Sequence, residues 1–164
     1  MMENNLSKLS LVVEAEIRNY EQLRDLERLK RAELIAGRHQ SLGEILAEEE
    51  GLASTLRNLE ARRRALQDAW AASRGLKGQC TLGDIAGMVE GPEGIRLAGL
   101  RKRLKDLSLE LNRENEGNSV LVRQSLEHLS GLFQIITGHH LNLAYEARGT
   151  NSHLGVRTLL DRSA

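Results

Sequence analysis

Starting at Leu42 and stepping alternately by three and four residues lands on Leu42, Ile45, Glu49, Leu52, Leu56, Leu59, Arg63, Leu66 and Trp70. Seven of these nine positions are apolar, and only Glu49 and Arg63 break the seam. A mean period of 3.5 marks a helix packed lengthwise against another helix. Strands, which alternate with a period of two, do not generate it. Leu6, Leu9, Val13, Ile17, Tyr20, Leu23, Leu26 and Leu29 repeat the pattern upstream. Leu97, Leu100, Leu104, Leu107 and Leu111 repeat it downstream. The fold class this predicts is all-α, a bundle of long antiparallel helices made of a two-helix hairpin plus a longer third helix.

Punctuation divides the chain. Ala36-Gly37 stops the first helix, because glycine takes the left-handed C′ conformation without a Cβ clash. Ser41 followed by Glu44 predicts a capping box for a second helix over residues 42 to 74, closed by Gly75. Thr81 with Asp84 predicts another box and a short connecting helix through Ile85, Met88 and Val89. Gly91-Pro92 opens the last helix, since proline at the first helical position loses no needed hydrogen bond. That helix extends to Gly138, so part of it must protrude beyond its partners. The bundle is thus assigned to residues 1–138, and 139–164 to a flexible tail. Within the tail Leu154, Val156, Leu159 and Leu160 carry an amphipathic pattern.

Composition excludes several kinds of function. The 164 residues carry 23 basic and 23 acidic side chains and no formal net charge, whereas phosphate neutralisation needs a basic excess. Arg62-Arg63-Arg64 and Arg101-Lys102-Arg103 are read as solvated faces offset by neighbouring acids. Aromatic residues make up 2% of the chain, too few for a base-stacking platform. No Walker A, GxGxxG, HExxH or GxSxG pattern occurs, and no histidine has a glutamate three residues before it. No enzyme activity, cofactor or metal is expected, and neither nucleic acid nor membrane insertion. A single cysteine, Cys80, suits a reducing compartment, and a cytoplasmic location follows.

The long helix lapses over Asn112 to Ser119. Three readings stay open at the sequence level: exposure beyond a shorter partner, a buried asparagine layer that fixes register, and direct contact with a partner. Apolar spacing resumes with Val122, Leu126, Leu129, Phe133 and Ile136.

The layout resembles the flagellar export chaperone FlgN family. The resemblance rests on the first helix ending Leu34-Ile35-Ala36-Gly37, the charged heptad helix through Ala61-Arg62-Arg63-Arg64-Ala65-Leu66, and the Thr81-Leu82-Gly83-Asp84-Ile85 connector. Its most specific part is the run from Asn115-Glu116-Gly117-Asn118 to Gln124-Ser125-Leu126-Glu127-His128-Leu129. The resemblance implies a non-enzymatic chaperone of type III flagellar export. Its clients would be the hook–filament junction proteins (hook-associated proteins), and the export apparatus a further partner. It also implies client-binding residues: Asn118, Val122, Leu126, Leu129, Phe133 and Ile136 on the long helix, with Tyr145, Leu154, Val156, Leu159 and Leu160 in the tail. The alternative is a structural coiled-coil scaffold or adaptor that self-associates, a homodimer being its simplest form.

Overall fold

The computed structural model of the chain describes residues 2–38, 40–76 and 78–137. Four helices follow one another: α1 (Met2–Ile35), α2 (Leu42–Ser73), α3 (Leu82–Met88) and α4 (Pro92–Thr137). No strand occurs among the described residues. All nine seam positions of α2 are buried or half-buried, the two charged ones included.

The two seam breaks in α2 meet complementary charges on α1. Arg63 Nε donates to both carboxylate oxygens of Glu16 at 3.0–3.1 Å, and Lys30 Nζ donates to both of Glu49 at 2.8–2.9 Å. Moving up α1 from 16 to 30 is matched by moving down α2 from 63 to 49, so the hairpin is antiparallel and held in one register. At its turn Gly37 adopts φ 68°.

The expected Ser41–Glu44 capping box is not formed. Ser41 makes no side-chain cap bond to α2. Its hydroxyl donates instead to Glu33 at 2.7 Å, beside the two bonds that Arg38 donates to the same carboxylate. A hydroxyl bonds an ionised carboxylate more strongly than it accepts from a neutral amide, so the turn clamp wins. The Arg38 and Ser41 bonds hold the Glu33 carboxyl near 2, well below its ordinary value.

The third long helix runs parallel to α1. Glu14 pairs with Arg96, Glu21 with Arg103 and Arg28 with Glu110, and each pair is 82 residues apart in sequence. Both helices therefore advance one heptad per rung. The three arginines are 45–63% exposed. Such surface pairs add little stability, roughly 0–1 kcal/mol each, but charged flanks of this kind choose register and direction. The chain reaches this orientation because α3 and its flanking turns bring it back to the start of α1.

The Thr81–Asp84 capping box forms as expected, with Asp84 N donating to Thr81 Oγ1 and Thr81 N donating to Asp84 Oδ2. Leu82 and Ile85 of α3 join the core with Leu97, Trp70 and the apolar face of α1. The α3–α4 corner depends on a glycine. A Cβ on Gly94 would stand 1.9 Å from the carbonyl oxygen of Val89. Gly94→Ala is thus expected to push α3 off α4 and cost about 1–3 kcal/mol or somewhat more. Urea unfolding followed by circular dichroism measures it, and an unchanged midpoint would show that the corner yields freely.

Candidate functional site

The hairpin ends before α4 does. At Asn118 the partner on α1 is Glu27, 91 residues earlier, so α1 runs on for eight residues, to Ile35, beyond this level. Asn118 is the last fully buried position of α4, at 1% exposure. Its Nδ2 donates to the backbone oxygen of Glu27 and to Glu27 Oε2, each at 2.7 Å. The other Glu27 oxygen accepts from Lys30, which also holds Glu49. One polar layer therefore joins α1, α2 and α4 about two turns before the hairpin closes. Burial raises the Glu49 pKa, and the nearby Glu27 carboxylate adds to the rise against the lowering pull of Lys30.

Of the three readings of the stretch Asn112 to Ser119, the geometry at Asn118 matches the buried asparagine layer. Its side chain is withdrawn from the surface and its amide nitrogen donates twice to Glu27, as in a register layer. Gly117 lies beside it within unbroken helix. A Cβ there would come within 2.6 Å of Arg31 Nη1, so the glycine makes room for the arginine that crosses it.

Beyond Asn118, α4 continues to Thr137 with an apolar exterior. Val122 is 40% exposed, Leu126 54%, Leu129 51%, Phe133 58% and Ile136 80%. These five keep the four-three spacing of a coiled-coil stripe. The heptad set by Leu97, Leu104 and Leu111 arrives at Asn118, and the stripe restarts four residues later at Val122, a stutter that rotates it away from α1. Val120, Leu132 and Ile135 are also exposed. Counting along the stripe alone missed them, although their hydropathy was the signal. A helix apolar on most sides is ordinarily covered. Among the expected site residues, the structure thus gathers five along one protruding helix and buries Asn118. Tyr145, Leu154, Val156, Leu159 and Leu160 lie outside the described residues.

Elsewhere on the described residues, internal pairing accounts for charges in both basic clusters and for the polar cleft. The basic clusters are dispersed: Arg63 is buried with Glu16, Arg64 pairs with Glu60 and Arg103 with Glu21. A polar cleft of about 240 Å³ between α2 and the α3 connector is lined by Arg63, Arg64, Gln67 and Cys80. Its buried Gln67 is committed to Arg63 and to the Cys80 carbonyl. Among the described residues no group of three or more His, Cys, Asp or Glu is placed to hold a metal. No described helix is long and apolar enough to cross a membrane.

The family model described as FlgN protein matches residues 1–153. The chain belongs to the FlgN family. FlgN proteins are flagellar export chaperones, and the match takes in the hairpin, the connector and the whole of the protruding helix. No curated protein and no solved structure matches the chain. A chaperone's task suits this geometry: a helical bundle ending in one long helix that offers apolar surface.

Proposed function

We propose that this FlgN-family chain binds the hook–filament junction proteins in the cytoplasm, keeps them soluble, and delivers them to the type III flagellar export apparatus. The observation that supports this most is the exposed stripe Val122, Leu126, Leu129, Phe133 and Ile136 on a helix anchored by the bundle. Amphipathic client segments lay their apolar side chains along such a stripe with anchors at helical spacing. The client then hides the surface through which it would self-associate. Each buried leucine contributes roughly 1.5–3 kcal/mol. Much of that is offset by ordering, which costs about 2–5 kcal/mol for a segment that folds on binding. Capture is consequently reversible, and release needs no nucleotide. In this reading Leu154, Val156, Leu159 and Leu160 add apolar contacts, and Tyr145 is the contact for the export apparatus.

Isothermal titration of a purified hook–filament junction protein into the full chain tests it. Leu129→Asp is expected to weaken binding at least tenfold while leaving helicity and the urea midpoint in place, because Leu129 is half exposed. Unchanged affinity would move the client site elsewhere. The observation that favours the scaffold reading is the same stripe's coiled-coil spacing, and a chain that self-associates but ignores every junction protein would establish it.

A further inference from the structure

The α1–α2 hairpin has two grooves, and α4 lies along one of them, on the side of α1 that carries Glu14 and Glu21. The other groove is open. Lys8, Leu11, Val12 and Ala15 of α1 and Leu59 and Arg62 of α2 line a concavity there of about 120 Å³. Val12 is buried and Leu11 is 58% exposed. The space holds roughly four waters at the density of the liquid, which is the bulk of one aliphatic side chain.

Charge around this groove is one-sided. Lys8, Leu11, Ala15, Arg18 and Gln22 follow one another at steps of three and four along α1, as do Thr55, Leu59, Arg62, Leu66 and Ala69 along α2. Neither row contains an acid. On the other side of α1, each rung of the ladder to α4 sets an arginine against a glutamate. Here Lys8, Arg18 and Arg62 are exposed, and none of them has an acidic partner among the described residues. The chain carries equal numbers of basic and acidic side chains, so this excess is a local arrangement and not a consequence of composition.

We propose that this groove docks an acidic amphipathic helix of a second protein, which seats one apolar side chain against Leu11, Val12 and Leu59 and turns its carboxylates toward Lys8, Arg18 and Arg62. Such a helix completes the hairpin on this side as α4 does on the other, with charge again choosing the register. The groove has no acid to repel those carboxylates, and its cations repel a basic partner. Neither row carries an aromatic side chain for a nucleic-acid base to stack on. A flat bilayer reaches Leu11 but not the buried Val12 beside it. The groove is also remote from the α4 stripe. By the 82-residue offset between Glu14 and Arg96, Leu11 is level with residue 93 of α4. Val122 lies 29 residues further along, about 44 Å at 1.5 Å per residue. A chain can thus hold a client on the stripe while a second protein holds the groove, and only this last point rests on the client-binding reading.

Fluorescence anisotropy of a labelled synthetic peptide added to the full chain tests this. The probe is two repeats of Leu-Ala-Glu-Leu-Glu-Ala-Glu, about four turns of helix. One control carries lysine for every glutamate, the other serine for every leucine. Saturable binding of the probe is expected, weakening with added salt, and each control should bind roughly tenfold more weakly or worse. Lys8→Glu/Arg62→Glu is expected to weaken the probe by roughly tenfold or more, and Leu11→Ser by about fivefold. Helicity, the urea midpoint and the affinity for a junction protein should stay as in the wild type. Saturating the chain with that junction protein should leave the probe bound. No binding of the probe, equal binding of the serine control, or full affinity in Lys8→Glu/Arg62→Glu overturns the proposal. So does a phosphatidylserine–phosphatidylcholine vesicle or a DNA duplex that binds through the same cations more tightly than the probe. Displacement of the probe by the junction protein overturns the separation of the two faces. A chain that binds the probe in this way but no junction protein sustains the groove and overturns the client-binding reading.

Discussion

Arg63→Met is expected to destabilise the bundle by about 3–5 kcal/mol, the cost of leaving one member of a buried ion pair without the other. The side chains of Arg63 and Glu16 are 8% and 3% exposed. With the guanidinium gone, Glu16 must either remain ionised in an apolar groove or take up a proton. Burial already raises the Glu16 pKa above its ordinary value, against the lowering effect of Arg63. Gln67 Oε1 would lose a donor in the same change. The double variant Glu16→Leu/Arg63→Met should recover most of the loss. Replacing both charges with apolar groups of similar volume removes the desolvation cost together with the attraction. Urea titrations of the two single variants and the double variant measure the coupling. A double variant as unstable as the sum of the singles would show that the two charges are not coupled.

Such a pair is costly compared with two leucines, and its position suggests what it does. A uniform leucine seam would let α1 and α2 slide by a heptad at little cost. Glu16–Arg63 and Lys30–Glu49 admit one register only, because any slip buries charge against hydrocarbon. Register matters at the far end. It sets where the hairpin turns, hence where α4 leaves its support and how much of the stripe is offered to a partner.

Much of this was legible in the chain. The leucine seams gave the helices and the hairpin, Gly37 and Gly91-Pro92 marked their ends, and Thr81 with Asp84 wrote a capping box that forms as expected. Helix direction was harder. Leu97 to Leu111 reads as an apolar stripe in either sense, and a stripe alone carries no arrow. The arrow is in the flanking charges, Glu14, Glu21 and Arg28 against Arg96, Arg103 and Glu110, which are complementary only in the parallel sense and become meaningful once the partner is known. Ser41 looked like a cap because its competitor, Glu33, lies eight residues away and comes close only when the turn closes. Asn118 was ambiguous for a similar reason. A polar residue in a seam either faces water or meets another polar residue, and its neighbours in sequence do not say which. The protruding stripe was legible as spacing, but its exposure followed from the length of the hairpin beside it.

Lys30→Met should be the more informative lesion, because its effect depends on pH in a way that simple loss of packing would not. Lys30 holds Glu27 and Glu49 together, and all three side chains are at most 12% exposed. Two carboxylates share one ammonium, so the layer already carries an excess negative charge. Without Lys30 the two carboxylates face each other across the hairpin, and a cost of about 3–5 kcal/mol is expected at neutral pH. Glu49, whose pKa burial already raises, would then hold a proton more tightly still in the folded chain than in the unfolded one, where glutamate titrates at about 4.3. A raised folded pKa means the folded state binds the extra proton, so stability increases as pH falls toward the unfolded value and is lost as pH rises through the folded one. The deficit of Lys30→Met relative to wild type should therefore shrink between pH 7 and pH 5. Urea midpoints at both values decide it, and an equal deficit at both would show that the methylenes of Lys30, and not its charge, support the layer. The same variant reaches the functional end of the molecule. Glu27 Oε2 is an acceptor for Asn118, so a repelled Glu27 carboxylate loosens one tie between α4 and the hairpin. Amide exchange should then quicken in α4 around Asn118, ahead of any change in the core around Leu9 and Leu97.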